Sequence, residues 1–104
     1  MLTHIGPYEV VRELGRGGMG VVYRGRDPML DRPVAIKLVS ESILGERTAV
    51  ERFLREAKTM ARIADPNVVQ IYFIGELSGR PYLVMEFIEG EDLSDVLKRE
   101  GRLS

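Results

Sequence analysis

A chain of 104 residues and 11.7 kDa allows one small domain with one core and leaves no room for a two-domain enzyme. Its 15 basic and 16 acidic side chains, net charge of −1 and pI near 5.9 exclude a strongly basic polyanion binder, so no nucleic acid is expected as a partner. The absence of cysteine excludes disulfides, thiolate metal sites and cysteine nucleophiles and is compatible with a cytoplasmic location, and with no run of ~18 uninterrupted apolar residues no membrane contact is expected of this segment.

Residues 1–7 read as an N-terminal extension in which His4, the sole histidine, is a solvated terminal residue. From Tyr8 to Leu14 a β-branched stretch with charges at alternate places predicts a strand that stops at Gly15. Val21–Arg26 and Val34–Val39 predict two more strands, separated by the turn chemistry of Asp27-Pro28 and Asp31-Arg32-Pro33, which together make an antiparallel meander. Between Glu46 and Ala64 the apolar residues fall at Val50, Phe53, Leu54, Ala57, Met60, Ala61 and Ala64, the 3, 4 spacing of an amphipathic helix. Asp65-Pro66-Asn67 ends it, because the residue before a proline is pushed out of the α region. Val68–Ile74 and Pro81–Phe87 predict a strand and its return partner around a turn at 77–80. A short helix is expected from Asp92 to Glu100, with Leu93, Val96 and Leu97 on one face and Gly101 as its stop; Leu103-Ser104 offers a capping serine to a further helix. The predicted fold class is therefore α+β: a five-stranded antiparallel sheet, one long packed helix and a short C-terminal helix. Charge differs along the chain, residues 1–62 carrying 11 basic and 8 acidic side chains and residues 63–104 carrying 4 and 8.

Three features carry chemistry. Gly15-Arg16-Gly17-Gly18-Met19-Gly20 satisfies G-x-G-x-x-G, a pattern that lets backbone amides approach phosphate oxygens where side chains would obstruct them. A dinucleotide site needs a helix directly after the glycines, whereas Val21, Val22 and Tyr23 favour a strand, so the geometry expected is a hairpin flap. A glycine-rich turn with no ligand fits the same residues. In the third strand, period two puts Ala35 and Lys37 on one face and Val34, Ile36 and Leu38 on the other, so that an ammonium projects beside a small residue. An edge lysine that discourages aggregation is the competing reading. Glu56 lies about 40° outside the helix's apolar arc of Met60, Ala57 and Leu54, so its carboxylate can reach inward to an ammonium on the sheet; a surface i, i+4 pair with Arg52 is the alternative.

Together these segments resemble the N-terminal lobe of protein kinases, most closely the bacterial members of the Ser/Thr type, from about Ile5 to the last residue. Leu14–Tyr23 resembles the glycine-rich loop, Val34-Ala35-Ile36-Lys37 the strand with the phosphate-binding lysine, Phe53-Leu54-Arg55-Glu56-Ala57 the helix segment that supplies its glutamate, and Pro66–Val69 with Tyr82–Phe87 the fourth strand and the approach to the hinge. The resemblance implies residues 8–88 as the ATP-binding lobe and 89–104 as the hinge exit and the beginning of a second lobe. It further implies that Leu14, Gly15, Arg16, Gly17, Gly18, Met19 and Gly20 form the cofactor-binding hairpin, with Gly15, Gly17 and Gly20 folded over the phosphates. Lys37 would hold the α and β phosphates and Glu56 would align it, the two forming the catalytic pair. Val22 and Ala35 would line the adenine pocket, Met85 would close its back, backbone groups of Glu86 and Ile88 would bond the adenine edge, and Asp92 would meet the ribose. Met60 and Ile71 would join the apolar column between helix and sheet.

The family's H-R-D-x-x-x-x-N and D-F-G motifs do not occur in these residues. ATP with Mg and a protein substrate are thus implied for a complete enzyme, with the metal ligands outside this chain, and the chain alone is expected to be inactive. The rival reading is a stand-alone interaction module that dimerises through an exposed apolar face of Phe87, Ile88, Leu93, Leu97 and Leu103.

Overall fold

The computed structural model describes residues 2–18, 20–62, 70–88, 90, 95 and 96, with residues 60 and 61 described by their backbone alone. β2 (Tyr8–Gly17), β3 (Gly20–Asp27) and β4 (Arg32–Val39) form the expected meander. The strand at Gly20–Asp27 removes the dinucleotide reading, which required a helix there. α1 (Arg47–Ala61) then crosses the sheet, and β5 (Ile71–Leu77) and β6 (Arg80–Glu86) return as a hairpin. Its turn, Ser78-Gly79, has positive φ at both residues (49° and 82°), the two-residue geometry that matches strand twist.

All pairings are antiparallel, and with a further strand β1 (His4–Ile5) at one edge the strand order is β1-β2-β3-β4-β6-β5. The sheet therefore has six strands where the sequence reading expects five. The additional one, β1 (His4–Ile5), lies in the expected N-terminal extension; Gly6 takes φ 59° and folds Ile5 back onto Tyr8, burying the isoleucine completely. β2 also runs past Gly15 to Gly17, because irregularities between Val10 and Arg12 and between Glu13 and Gly15 shift its register twice without ending the pairing. A 3-10 turn at Glu41–Ile43, capped by the Ser40 hydroxyl, which accepts from Ser42 N, joins β4 to α1. The end of the expected helix, its Pro66 terminator, Val68 and Val69 lie outside the described residues, as does most of the expected C-terminal helix, of which Asp95 and Val96 are described and helical.

β4 is paired on both edges and buried on both faces, which explains its near-continuous apolar sequence. Alternation along it separates two cores. Ala35 and Val39 join Val22, Leu83, Met85 and Phe87 on the face that Phe53 and Ala57 of α1 cover. Val34, Ile36 and Leu38 join Ile5, Tyr8, Tyr82 and Val84 on the opposite face, where the Phe73 ring lies 6.1 Å from those of Tyr8 and Tyr82. Each fully buried aliphatic side chain stabilises by about 1.5–3 kcal/mol, so the helix is held by its stripe of contacts and not by propensity alone.

Candidate functional site

The face under α1 holds most of the residues the sequence singled out. Cross-strand register sets them in two rows. In the first, Val22 of β3 lies opposite Lys37 of β4, which lies opposite Leu83 of β6, with Gly15 of β2 opposite Val22. In the second, Arg24 lies opposite Ala35, and Ala35 opposite Met85. Directly opposed residues share a face. The Lys37 ammonium is thus flanked by Val22 and Leu83, with Gly15 of the hairpin beyond Val22 and with Ala35 and Met85 in the neighbouring row.

The hairpin closes at the Gly17–Gly20 pair, around Gly18 and Met19; Met19 itself is outside the described residues. Its glycines divide into two kinds. A side chain at Gly20 would overlap the Leu38 carbonyl oxygen and lie 3.1 Å from Ser40 N, so this glycine is required by the fold. Gly17 and Gly18 have nothing within 4 Å of where a side chain would begin, so their bareness serves no internal packing and leaves their surroundings open to a ligand. Arg16 projects from the hairpin and is tied to Glu13, its Nε 3.3 Å from Oε2; that hydrogen bond draws the Glu13 carboxyl below its usual range. Arg16, Gly17, Gly20, Ser40, Glu41 and Arg80 surround an open groove of about 250 Å³.

Lys37 is half-buried, and its Nζ stands 5.9 Å from the centre of the Phe53 ring. The expected pairing with Glu56 is not made in this structure. Among the α1 side chains described, Phe53 and Ala57 are the buried ones, Glu56 is 100° round the helix from Ala57, and its carboxylate is exposed. Sequence periodicity places Glu56 at the edge of the buried arc but does not decide which way the helix turns. Phe53, read from the sequence only as core, brings its ring to the lysine; the signal is its place on the apolar stripe one turn before Ala57.

At the far end, Met85 is fully buried at the back of the strip. Glu86 is doubly tied to Gln70, its backbone N–H donating to Gln70 O at 2.9 Å and its Oε1 accepting from Gln70 N at 3.2 Å. Phe87 is buried, with the Arg24 guanidinium 5.5 Å from its ring centre, whereas Ile88 is 52% exposed. Leu14 and Ile71 are partly buried against the same core. Asp92 and the side chain of Met60 lie outside the described residues. The arrangement sets a cation beside an open glycine hairpin and next to an apolar strip that ends at the backbone of Glu86–Ile88.

Residues 8–104 match the model of the protein kinase domain. The chain belongs to the protein kinase domain family. It is 43% identical over 102 residues to "Serine/threonine-protein kinase PknE" of Mycobacterium tuberculosis, a match covering 98% of this chain and 18% of that protein. It is 42% identical over 99 residues to "Serine/threonine-protein kinase PknH" of the same organism, covering 95% of this chain and 16% of the relative. Among solved structures, the Mycobacterium tuberculosis PknI kinase domain superposes with a TM-score of 0.72 at 27% identity, covering 94% of this chain and 40% of that one. The chain therefore spans less than a fifth of the length of these curated relatives. As a protein kinase domain, the sheet-and-helix layer described above is the family's N-terminal lobe.

Proposed function

We propose that this chain is the nucleotide-binding lobe of an ATP-dependent protein serine/threonine kinase. The observation that carries the reading is the co-location of Val22, Ala35, Lys37, Leu83 and Met85 on one sheet face beside a hairpin whose Gly17 and Gly18 are open. Adenine would slide between Val22 and Ala35 above and be stopped by Met85 behind, with backbone groups of Glu86 and Ile88 at its edge. The small Ala35 leaves room for the ring that a larger residue would fill. The phosphates would lie under the hairpin amides, where the Lys37 ammonium neutralises charge on the α and β groups. ATP arrives with magnesium, but the described residues contain no group of three or more His, Asp or Glu able to hold a metal ion, so no step is assigned to it. The lobe positions the nucleotide, and the transfer of its γ-phosphoryl group to a Ser or Thr hydroxyl of a protein substrate belongs to the complete enzyme, in the cytoplasm where ATP is supplied.

The interaction-module reading draws on an apolar face that includes Phe87 and Ile88. Phe87 is buried, only Ile88 is exposed, and the other residues of that face lie outside the described part, so no observation favours dimerisation through it. The test is phosphate transfer from γ-labelled ATP to a Ser/Thr protein substrate by the full-length protein. Lys37→Met is expected to abolish transfer, and the 104 residues alone are expected to give none. Transfer that survives Lys37→Met overturns the assignment.

A further inference from the structure

We propose that Arg24 is a positioning residue for the adenine edge, acting through Phe87; the proposal rests on the nucleotide-binding reading above. The ladder between β4 and β6 ends at the Val34–Glu86 pair, so Phe87 lies one residue past the last paired position, where strand pairing no longer fixes the backbone. What holds it is its side chain, only 7% exposed and packed in the same core as Ala35 and Met85. Arg24 sits on β3, one strand further away, directly opposite Ala35. The long arginine stem spans β4 and brings its guanidinium to 5.5 Å from the Phe87 ring centre. A planar guanidinium is suited to lie against an aromatic ring, which a compact ammonium does less well. The contact joins β3, which carries Val22, to the segment Glu86–Ile88, whose backbone is to meet the base. The same two residues thus set the distance between the adenine slot's upper wall and its polar edge.

This clamp bears on the base and not on the phosphates, which belong to the hairpin and to Lys37 in the neighbouring row. A merely structural arginine would make no such distinction. The experiment is displacement of a fluorescent ATP analogue from the full-length protein by ATP and, separately, by inorganic tripolyphosphate. Arg24→Met keeps the aliphatic stem and removes the guanidinium; it is expected to weaken ATP about fivefold while leaving tripolyphosphate within about twofold of the unsubstituted protein. Arg24→Lys is expected to recover part of the ATP affinity. Equal losses for both competitors, or no loss for either, overturn the proposal. Should Arg24→Met not fold, Arg24→Gln carries the same comparison. If the unsubstituted protein binds neither competitor, the nucleotide-binding reading itself fails, an outcome distinct from a variant without effect.

Discussion

Gly20 and Gly17 are three residues apart in the same motif and do different work. A methyl group at Gly20 would strike the Leu38 carbonyl of the neighbouring strand, whose backbone cannot retreat without breaking pairing. Gly20→Ala is therefore expected to destabilise the fold by about 1–3 kcal/mol, read from the urea midpoint. Gly17→Ala, with open space around the new atom, is expected to stay within ~0.5 kcal/mol of the parent yet to weaken nucleotide binding. The motif is visible in the sequence, but the division of labour within it is not, because that depends on which strand lies behind each glycine. Two tyrosines give a second residue-scale expectation. Burial raises the Tyr8 hydroxyl above its ordinary value, with a further push from Asp27, and burial raises Tyr82. The fold favours the neutral form, so the unfolded chain ionises first. The associated stability is intact below the unfolded value near 10 and is lost as pH rises from there through the higher folded value. Urea midpoints should thus fall between pH 9 and about pH 11, and fall less in Tyr8→Phe.

At the scale of the element, α1 and β4 were the most readable parts of the chain and also the source of the main surprise. The 3, 4 spacing of Val50, Phe53, Leu54 and Ala57 announces the helix, and period two in Val34–Leu38 assigns both faces of β4 as observed. Neither pattern contains the rotation of the helix about its own axis when docked. That angle depends on the core that Phe53 and Ala57 share with Val22, Val39 and Leu83, residues far from them in the chain. Docked in this way, α1 presents Phe53 to Lys37 and Glu56 to water. Two binding measurements follow from that geometry. Lys37→Met is expected to weaken ATP at least tenfold through loss of a charge-assisted contact, roughly the 1.5–3 kcal/mol of such a bond. Glu56→Gln is expected to leave ATP affinity within about twofold, because its carboxylate touches neither the lysine nor the nucleotide face in this arrangement. A large effect of Glu56→Gln on affinity would mean that α1 turns when ATP binds.

For the molecule as a whole, the sequence revealed the architecture through turn chemistry and periodicity, and it missed what depends on the chain's closing on itself. His4 and Ile5 are too short a stretch to announce a strand, yet Ile5 is completely buried against Tyr8 because Gly6 reverses the chain. The Ser40-capped turn before α1 similarly leaves no periodic trace, being three residues long. What the whole sheet achieves is a segregation: one face becomes an aromatic and aliphatic core of its own, and the other carries every described residue to which nucleotide binding is assigned by side chain. ATP is expected to bind on the second face. Amide chemical shifts of isotopically labelled protein titrated with ATP test it most directly. Shifts are expected to concentrate at Gly17, Gly18, Val22, Ala35, Lys37 and Ile88, while Tyr23, Ile36, Tyr82 and Val84 on the opposite face stay unmoved. Shifts centred on Tyr23, Ile36 and Tyr82, or no response at millimolar ATP, would contradict it.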